Sequence, residues 1–329
     1  MDTAHVKQLN LTALRALLVF KRAATIQELS KLTGLSVVTV KALLGEMIEC
    51  GEVTEGDMVP SGGGRPSRLY VYNGDYRHAV LIYGHQEQNR NSIHLLVINL
   101  FEEIVYSEQA YIDDIQIDSF CGMIDRAVKT FQTIAAIAFG LPGFEENGKI
   151  VANDYSGIVG NGFLPFYQSR YGFPVAFIND VNAAVKGYSL LVPAKTCLVG
   201  IYFPRIYRPG AGMVINGKVY LGTQNFAGEI GRLLPDTDWL TLDYNDGEAV
   251  ADAVSRLLAV YCQVVAPEQF VLYGDFFEEN SAEIITTNTE DRLDGQFRVN
   301  VSVSAAFDAD FERGMGAVAL KTLHDTLIR

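Results

Sequence analysis

The chain has 329 residues, 49% of them hydrophobic and 20% charged, with a formal net charge of −13. That length holds two or three compact units with a sizeable core, and the composition is that of an ordinary globular protein. No apolar run nears the roughly 18 residues a membrane helix needs, and no charged-then-apolar leader opens the sequence, which predicts a cytoplasmic protein.

The four cysteines (Cys50, Cys121, Cys197, Cys262) lie far apart, without metal-ligand or redox spacing, and read as reduced thiols. The first 75 residues carry eight Lys/Arg and eight Asp/Glu, so the whole net charge belongs to the remainder. A neutral head on an acidic body permits DNA binding without arguing for it, and predicts modest non-specific affinity.

In chain order, Val6, Leu9, Leu14, Leu17 and Leu18 form a helical stripe over residues 5–20. Ile26, Leu29 and Leu32 mark one face of a short helix, and Thr33-Gly34-Leu35 supplies a turn in which Gly34 is free to take positive φ. Ser36 is a good N-cap for a second helix whose buried face is Val40, Leu43, Leu44, Met47 and Ile48. Val37, Val38, Thr39 and Lys41 are left on exposed first turns, where a helix-turn-helix meets base edges. Gly51 ends that helix. Two β-prone runs, 52–55 and 69–72, flank the glycine-rich stretch 61–68, which carries Arg65 and Arg68. The DNA-contact candidates are therefore Ser36, Val37, Val38, Thr39, Lys41, Arg65 and Arg68.

Asn73-Gly74-Asp75 is a turn and the first domain boundary. Strands at 78–83, 92–100 and 102–107 form a meander, followed by a helix over 119–134 and a buried strand over 135–139. Then come a helix at 163–171, a strand at 175–178 and a helix at 181–190. A second meander occupies 196–203, 212–215 and 218–220; helices at 248–265 and 307–328 and strands at 269–273 and 299–303 complete the chain. Two successive units of meander, helix, strand and helix make an α/β protein with an internal structural repeat.

In the body, the apolar strand at 175–178 delivers Asn179-Asp180 at its carboxyl end, directly before a helix, where open α/β sheets place polar ligand contacts. Asp180 there could bind a ligand hydroxyl or cap the helix, and the two roles are compatible. Other candidates are weak. The five histidines suit neither a metal nor a triad, Asp113-Asp114 and Asp308-Ala309-Asp310 read as solvated or capping carboxylates, and Trp239 as core or a sugar-stacking surface.

The Thr33-Gly34-Leu35-Ser36 turn, Thr39-Val40 and Gly63-Gly64-Arg65-Pro66 resemble the winged helix-turn-helix of ROK-family (repressor, open reading frame, kinase) transcriptional regulators. Asn179-Asp180-Val181-Asn182-Ala183-Ala184 resembles that family's Asn-Asp-x-Asn-Ala-Ala signature, whose Asp is the general base of its kinases. Gly228-Glu229-Ile230-Gly231 resembles its Gly-Glu-Ile-Gly-His segment, implying that Glu229 bonds sugar hydroxyls. Gly140-Leu141-Pro142-Gly143 and Gly160-Asn161-Gly162 resemble turns lining the sugar pocket, so the implied ligand residues are Asn161, Asn179, Asp180 and Glu229. The resemblance implies a winged helix-turn-helix over 1–75 and a two-lobed actin-like, ribonuclease H-like sugar-kinase fold. Its first lobe spans 76–190 and is completed by helix 307–329; its second spans 191–306 and dimerises.

The departures matter as much. The family's kinases carry an Asp-x-Gly-Gly-Thr phosphate loop, because backbone N–H groups must approach phosphate closely. Tyr83-Gly84-His85-Gln86-Glu87-Gln88 stands there instead. Of a second phosphate loop only Gly210-Ala211-Gly212 remains, and the adenosine-side Gly-Gly is Gly274-Asp275. Arg232 replaces the family's histidine, and no cysteine occurs in 233–246, so neither a zinc nor any other cofactor is expected. Arg205, Arg208 and Arg232 could together favour an anionic ligand, although each taken singly is more readily a surface or paired cation.

The resemblance thus implies a cytoplasmic, non-enzymatic repressor of carbohydrate-metabolism genes. Its partners would be double-stranded operator DNA and a sugar or sugar-phosphate effector, with no membrane, and its assembly a homodimer or tetramer. No residue is assigned a catalytic or metal role. The alternatives are a divergent ROK sugar kinase using Asp180 as base, and a ligand-independent regulator whose body only dimerises.

Overall fold

The computed structural model describes residues 3–60, 66–87, 90–152, 155–160 and 162–327. Arg65 and Asn161 lie outside them. The N-terminal part contains α1 (Thr3–Lys21), β1 (Ala23–Thr25), α2 (Ile26–Thr33), α3 (Val37–Glu49), β2 (Val53–Val59) and β3 (Ser67–Tyr72). Thr25 opens α2 with a reciprocal cap: its hydroxyl accepts from Glu28 N–H, and the Glu28 carboxylate accepts from Thr25 N–H at 2.8 Å. Gly34 closes α2 at φ 73° with its N–H on Ser30 O, and Ser36 caps α3 by accepting from Thr39 N–H at 3.1 Å. Val40, Leu43, Leu44 and Met47 of α3 are buried with Leu14, Leu18 and Leu29. The sequence reading missed β1, too short to show a periodicity. It pairs antiparallel with β3, giving a three-stranded sheet of order β1-β3-β2.

The body is two five-stranded sheets. The first lobe is built on β4 (His78–Glu87), β5 (Arg90–Asn99), β6 (Ile104–Ile112), β7 (Ile134–Gly140) and, beyond a β8 (Phe144–Glu146) and β9 (Lys149–Ala152) hairpin, β10 (Val175–Ile178). Its order is β10-β7-β4-β5-β6, antiparallel through β4, β5 and β6 and parallel from β4 to β7 to β10. Helices α4 (Cys121–Thr130), α5 (Phe163–Tyr171) and α6 (Asp180–Ser189) belong to this half of the chain. Helix α4 is shorter than the 119–134 expected. The chain leaves it at Phe131, whose N–H closes on Ala127 O, and Ile134 already begins β7.

The second lobe repeats the pattern with β11 (Cys197–Tyr202), β12 (Gly210–Ile215), β13 (Lys218–Val219), α7 (Gly247–Val264), β14 (Gln269–Tyr273), α8 (Ser281–Arg292) and β15 (Val301–Ser304), in the order β13-β12-β11-β14-β15. Helix α8 escaped the sequence reading because only Ile285 and Thr289 of it are buried, too few for a stripe.

Helix α9 (Phe307–Leu327) returns to pack on α6, β7 and β4. The two helices cross at Gly187 and Gly314, where a Cβ on either would lie 1.8 Å from a backbone oxygen of the other helix. Asp310, almost wholly buried, accepts from the Tyr273 hydroxyl at 3.0 Å and pairs with Arg313, tying α9 to the second sheet. At its far end, the Leu327 carbonyl accepts from Arg15 of α1. Arg15 is also doubly bonded to Glu52, fully buried beneath the wing, which accepts from the Tyr72 hydroxyl as well. One helix thereby touches both sheets and the N-terminal unit. Among the described residues no helix is long and apolar enough to cross a membrane.

Candidate functional site

Between the two sheets lies a cleft of about 1390 Å³. Its floor is the N-terminus of α6. Asn179 ends β10 and is the N-cap: its side-chain oxygen accepts from Val181 and Asn182 N–H at 3.0 and 3.2 Å, and its amide donates to Gly143 O at 2.9 Å. Asp180 shares the capping that the sequence left open for it: its Oδ1 also accepts from Val181 N–H, at 2.8 Å. Asp180, half-buried in the first turn of α6, faces the cleft with the helix N-terminus favouring its charge. Asn182 lies beside it, nearly fully buried, with a side-chain oxygen that has no hydrogen-bond partner in the structure. Glu229 lines the opposite wall and is exposed. The cleft therefore brings together Asn179, Asp180 and Glu229 of the four expected ligand residues.

The sequence reading missed Asn225 and Phe226 on the second-lobe side beside Glu229, Phe144 on the first-lobe side, and Asp308 and Glu312 at the start of α9 as lining residues of the cleft. Their signals were faint: Asn225-Phe226 adjoins the Gly-Glu-Ile-Gly segment, and Asp308 and Glu312 share a helix face at four-residue spacing.

At the other end of the cleft, Tyr83 stacks on His94 at 4.8 Å and donates its hydroxyl to Glu312 at 2.5 Å. Gly84 lies under Tyr155, whose hydroxyl would be 2.7 Å from a Cβ there. Arg205 bonds both oxygens of Asp275 at 2.9 and 3.0 Å and sits over the Phe276 ring, so its charge is compensated from within the chain. Burial first, then the negative charges of Asp180, Asp308 and Asp275, push the Tyr202 hydroxyl above its usual pKa. Among the described residues six carboxylates line the cleft (Asp114, Asp180, Glu229, Asp275, Asp308, Glu312) against three arginines (Arg205, Arg208, Arg232). Such a lining suits hydroxyl donors better than further anions.

Zinc does not fit the segment after Gly231. Trp239, fully buried, packs on Phe203 at 5.5 Å, and Tyr244 on Phe276 at 4.6 Å, so an aromatic cluster occupies the ground. Among the described residues no group of three His, Cys, Asp or Glu could hold a metal.

In the N-terminal unit, Ser36, Val37, Val38 and Lys41 are exposed at the start of α3, with Val38 79% exposed. Thr39 is half-buried, its hydroxyl 2.8 Å from that of Ser36. Arg68 pairs with Glu55 at 3.3 Å on the neighbouring strand.

The family model described as "ROK family" matches residues 90–245, the meander of the first lobe through the segment after Glu229. This chain carries a ROK-family domain. The xylose repressor of Bacillus spizizenii is 25% identical over 74% of this chain and 63% of its own length. A solved ROK-family transcriptional regulator, a homologue of the Escherichia coli MLC protein, has the same fold over 98% of both chains at 17% identity and a TM-score of 0.69. A ROK hexokinase from Thermus thermophilus matches 75% of this chain and 99% of its own, at 18% identity and a TM-score of 0.61. The ROK domain thus lies on a two-lobed sugar-kinase fold, with a winged helix-turn-helix ahead of it. The matched stretches span about three fifths of the length of the curated relatives.

Proposed function

We propose that this chain is a DNA-binding transcriptional regulator, a repressor whose grip on operator DNA is set by a saccharide held between the ROK lobes. We divide it into a winged helix over 1–75, a first lobe over 76–190 completed by α9, and a second lobe over 191–306 through which it dimerises in the cytoplasm. The observation that carries the reading is the pairing of two sites in one chain. One is an α3 whose capped first turns stand open to solvent; the other is a cleft that keeps Asn179, Asp180 and Glu229. The xylose repressor among the relatives supports the same combination.

The kinase alternative is weaker. Transfer from a nucleotide needs backbone N–H groups open to phosphate, and here Tyr155 covers Gly84 while Arg205 is bound to Asp275. The carboxylate excess favours an unphosphorylated effector over a sugar phosphate. A dimer would set two α3 helices against the half-sites of a pseudo-palindrome, and the effector would act by binding one lobe arrangement better than the other. The decisive experiment is binding to DNA from the upstream region of its own gene, at stated salt, with D-xylose, D-glucose, N-acetylglucosamine and their phosphates. Specific binding released by an unphosphorylated sugar is expected. Specific binding indifferent to every compound would leave only a dimerisation role for the body, and no specific binding would remove the regulator reading.

A further inference from the structure

The cleft is bridged from one lobe to the other. On the first-lobe side the β8–β9 hairpin follows Gly143, and on the second-lobe side residues 222–228 lead into Glu229. Two contacts join them. The Asn225 amide donates to Glu145 O at 2.7 Å, and the Phe144 and Phe226 rings meet edge to face, 5.7 Å apart and 87° inclined. Both contacts run directly into the polar groups of the cleft. Gly143, next to Phe144, accepts from the Asn179 side chain, and Phe226 O accepts from Glu229 N–H at 3.3 Å.

The second-lobe strand of this bridge is strained. Gln224 and Asn225 are consecutive non-glycine residues at φ 59° and 55°, a backbone region that costs L residues energy and that an isolated loop would leave. Phe226 remains 57% exposed even with its ring contact made. An exposed aromatic ring beside hydroxyl-accepting groups suits the apolar C–H face of a sugar ring.

We propose that Phe144, Glu145, Asn225 and Phe226 form an inter-lobe clasp that must part for a ligand to enter, and that Phe226 then determines specificity by packing against the ligand's apolar face. The proposal rests on the sensor reading of the cleft, and its tests separate the two. Parting releases the Asn225 amide from Glu145 and lets the backbone of 224–225 relax. Reclosure over a ligand re-forms the ring pair with the ligand beneath it. A clasp closed on either side of the ligand would bias one lobe arrangement, the property an effector needs.

The ligand-free test is amide hydrogen exchange on the full chain. Asn225→Gly deletes the side-chain amide while tolerating the left-handed backbone, and Phe144→Ala deletes the ring contact from the other lobe. Each is expected to speed exchange at Ala227 and Glu229 by about tenfold while leaving β11 unchanged. Wild-type exchange in both variants overturns the clasp. The ligand test is calorimetry with D-xylose, D-glucose and N-acetylglucosamine. Phe226→Ala is expected to weaken binding of the preferred sugar about tenfold and narrow the difference between sugars, and Phe226→Tyr to restore both. Unchanged affinity in Phe226→Ala overturns the specificity role while the sensor reading stands. Wild-type protein that binds none of the three overturns that role together with the sensor reading, and the exchange result then decides the clasp alone.

Discussion

Gly314→Ala and Gly316→Ala lie two residues apart on α9, and the structure assigns them opposite signs. At Gly314 a Cβ would lie 1.8 Å from the Ala183 carbonyl oxygen of α6, where real Cβ atoms keep at least 3.0 Å, so the helices must part by about 1.2 Å. The obstacle is backbone and has no flexible end to swing away. A gap of that order forfeits up to half of each dispersion contact it opens. The crossing buries Val181, Ala184 and Val185 on one helix and Phe311, Met315 and Ala319 on the other. Together this costs about 2–4 kcal/mol, the upper range for forcing atoms into a packed core. Alanine returns about 1 kcal/mol of helix propensity, leaving a net loss of about 1–3 kcal/mol. Gly316 has nothing within 4 Å of its Cβ, so it keeps only the propensity gain, up to about 1 kcal/mol. Urea unfolding followed by circular dichroism would give the two midpoints. They should fall on opposite sides of wild type. Two shifts of the same sign would refute the close crossing of α6 and α9.

The remaining predictions concern the N-terminal unit, the cleft and pH. Arg15→Met should destabilise by about 3 kcal/mol, the low end for breaking a buried pair, because Glu52 loses its cation while remaining fully buried; a urea midpoint within experimental scatter of wild type would refute it. Asp180→Asn should abolish the effector's influence on operator binding and leave DNA affinity alone, measured by fluorescence anisotropy; a preserved response would take Asp180 out of the ligand site. Arg65→Ala should weaken binding to all DNA sequences alike and lower the salt slope; unchanged affinity would remove the wing from the interface. Burial first lowers the pKa of both His78 and His324 from the usual 6.5. The folded state then binds fewer protons than the unfolded chain, so stability should be full above about pH 6.5 and fall as pH drops toward the depressed values. Thermal melts from pH 7.5 to 5.5 should show that decline, flattened in His78→Gln and His324→Gln; parallel curves for wild type and variants would refute it.

Short periods and local chemistry encode one part of this fold. Leu29 on α2, Val40, Leu43, Leu44 and Met47 on α3, and the caps at Gly34 and Ser36 are local consequences of spacing and of Cβ-free or hydroxyl side chains, so α2, its turn and α3 could be read directly. So could the strand that ends at Asn179-Asp180, where an apolar run meets a helix start. The resemblance to the ROK family added Glu229 and the two-lobed frame, which no periodicity would have supplied. Which groups face one another follows from long-range packing. That the Asn179 side chain, capping α6 with one end, donates with the other to a Gly143 carbonyl 36 positions earlier in the chain is such a case. Arg205 on paper is an exposed, a paired or an anion-binding cation, and the fold makes it a paired one, because β14 ends beside β11 and brings Asp275 to it. Phe144 and Phe226, and Gly187 and Gly314, carry no pattern in one dimension. Their meaning is a distance across the chain, and such distances exist only once the two sheets and α9 have packed.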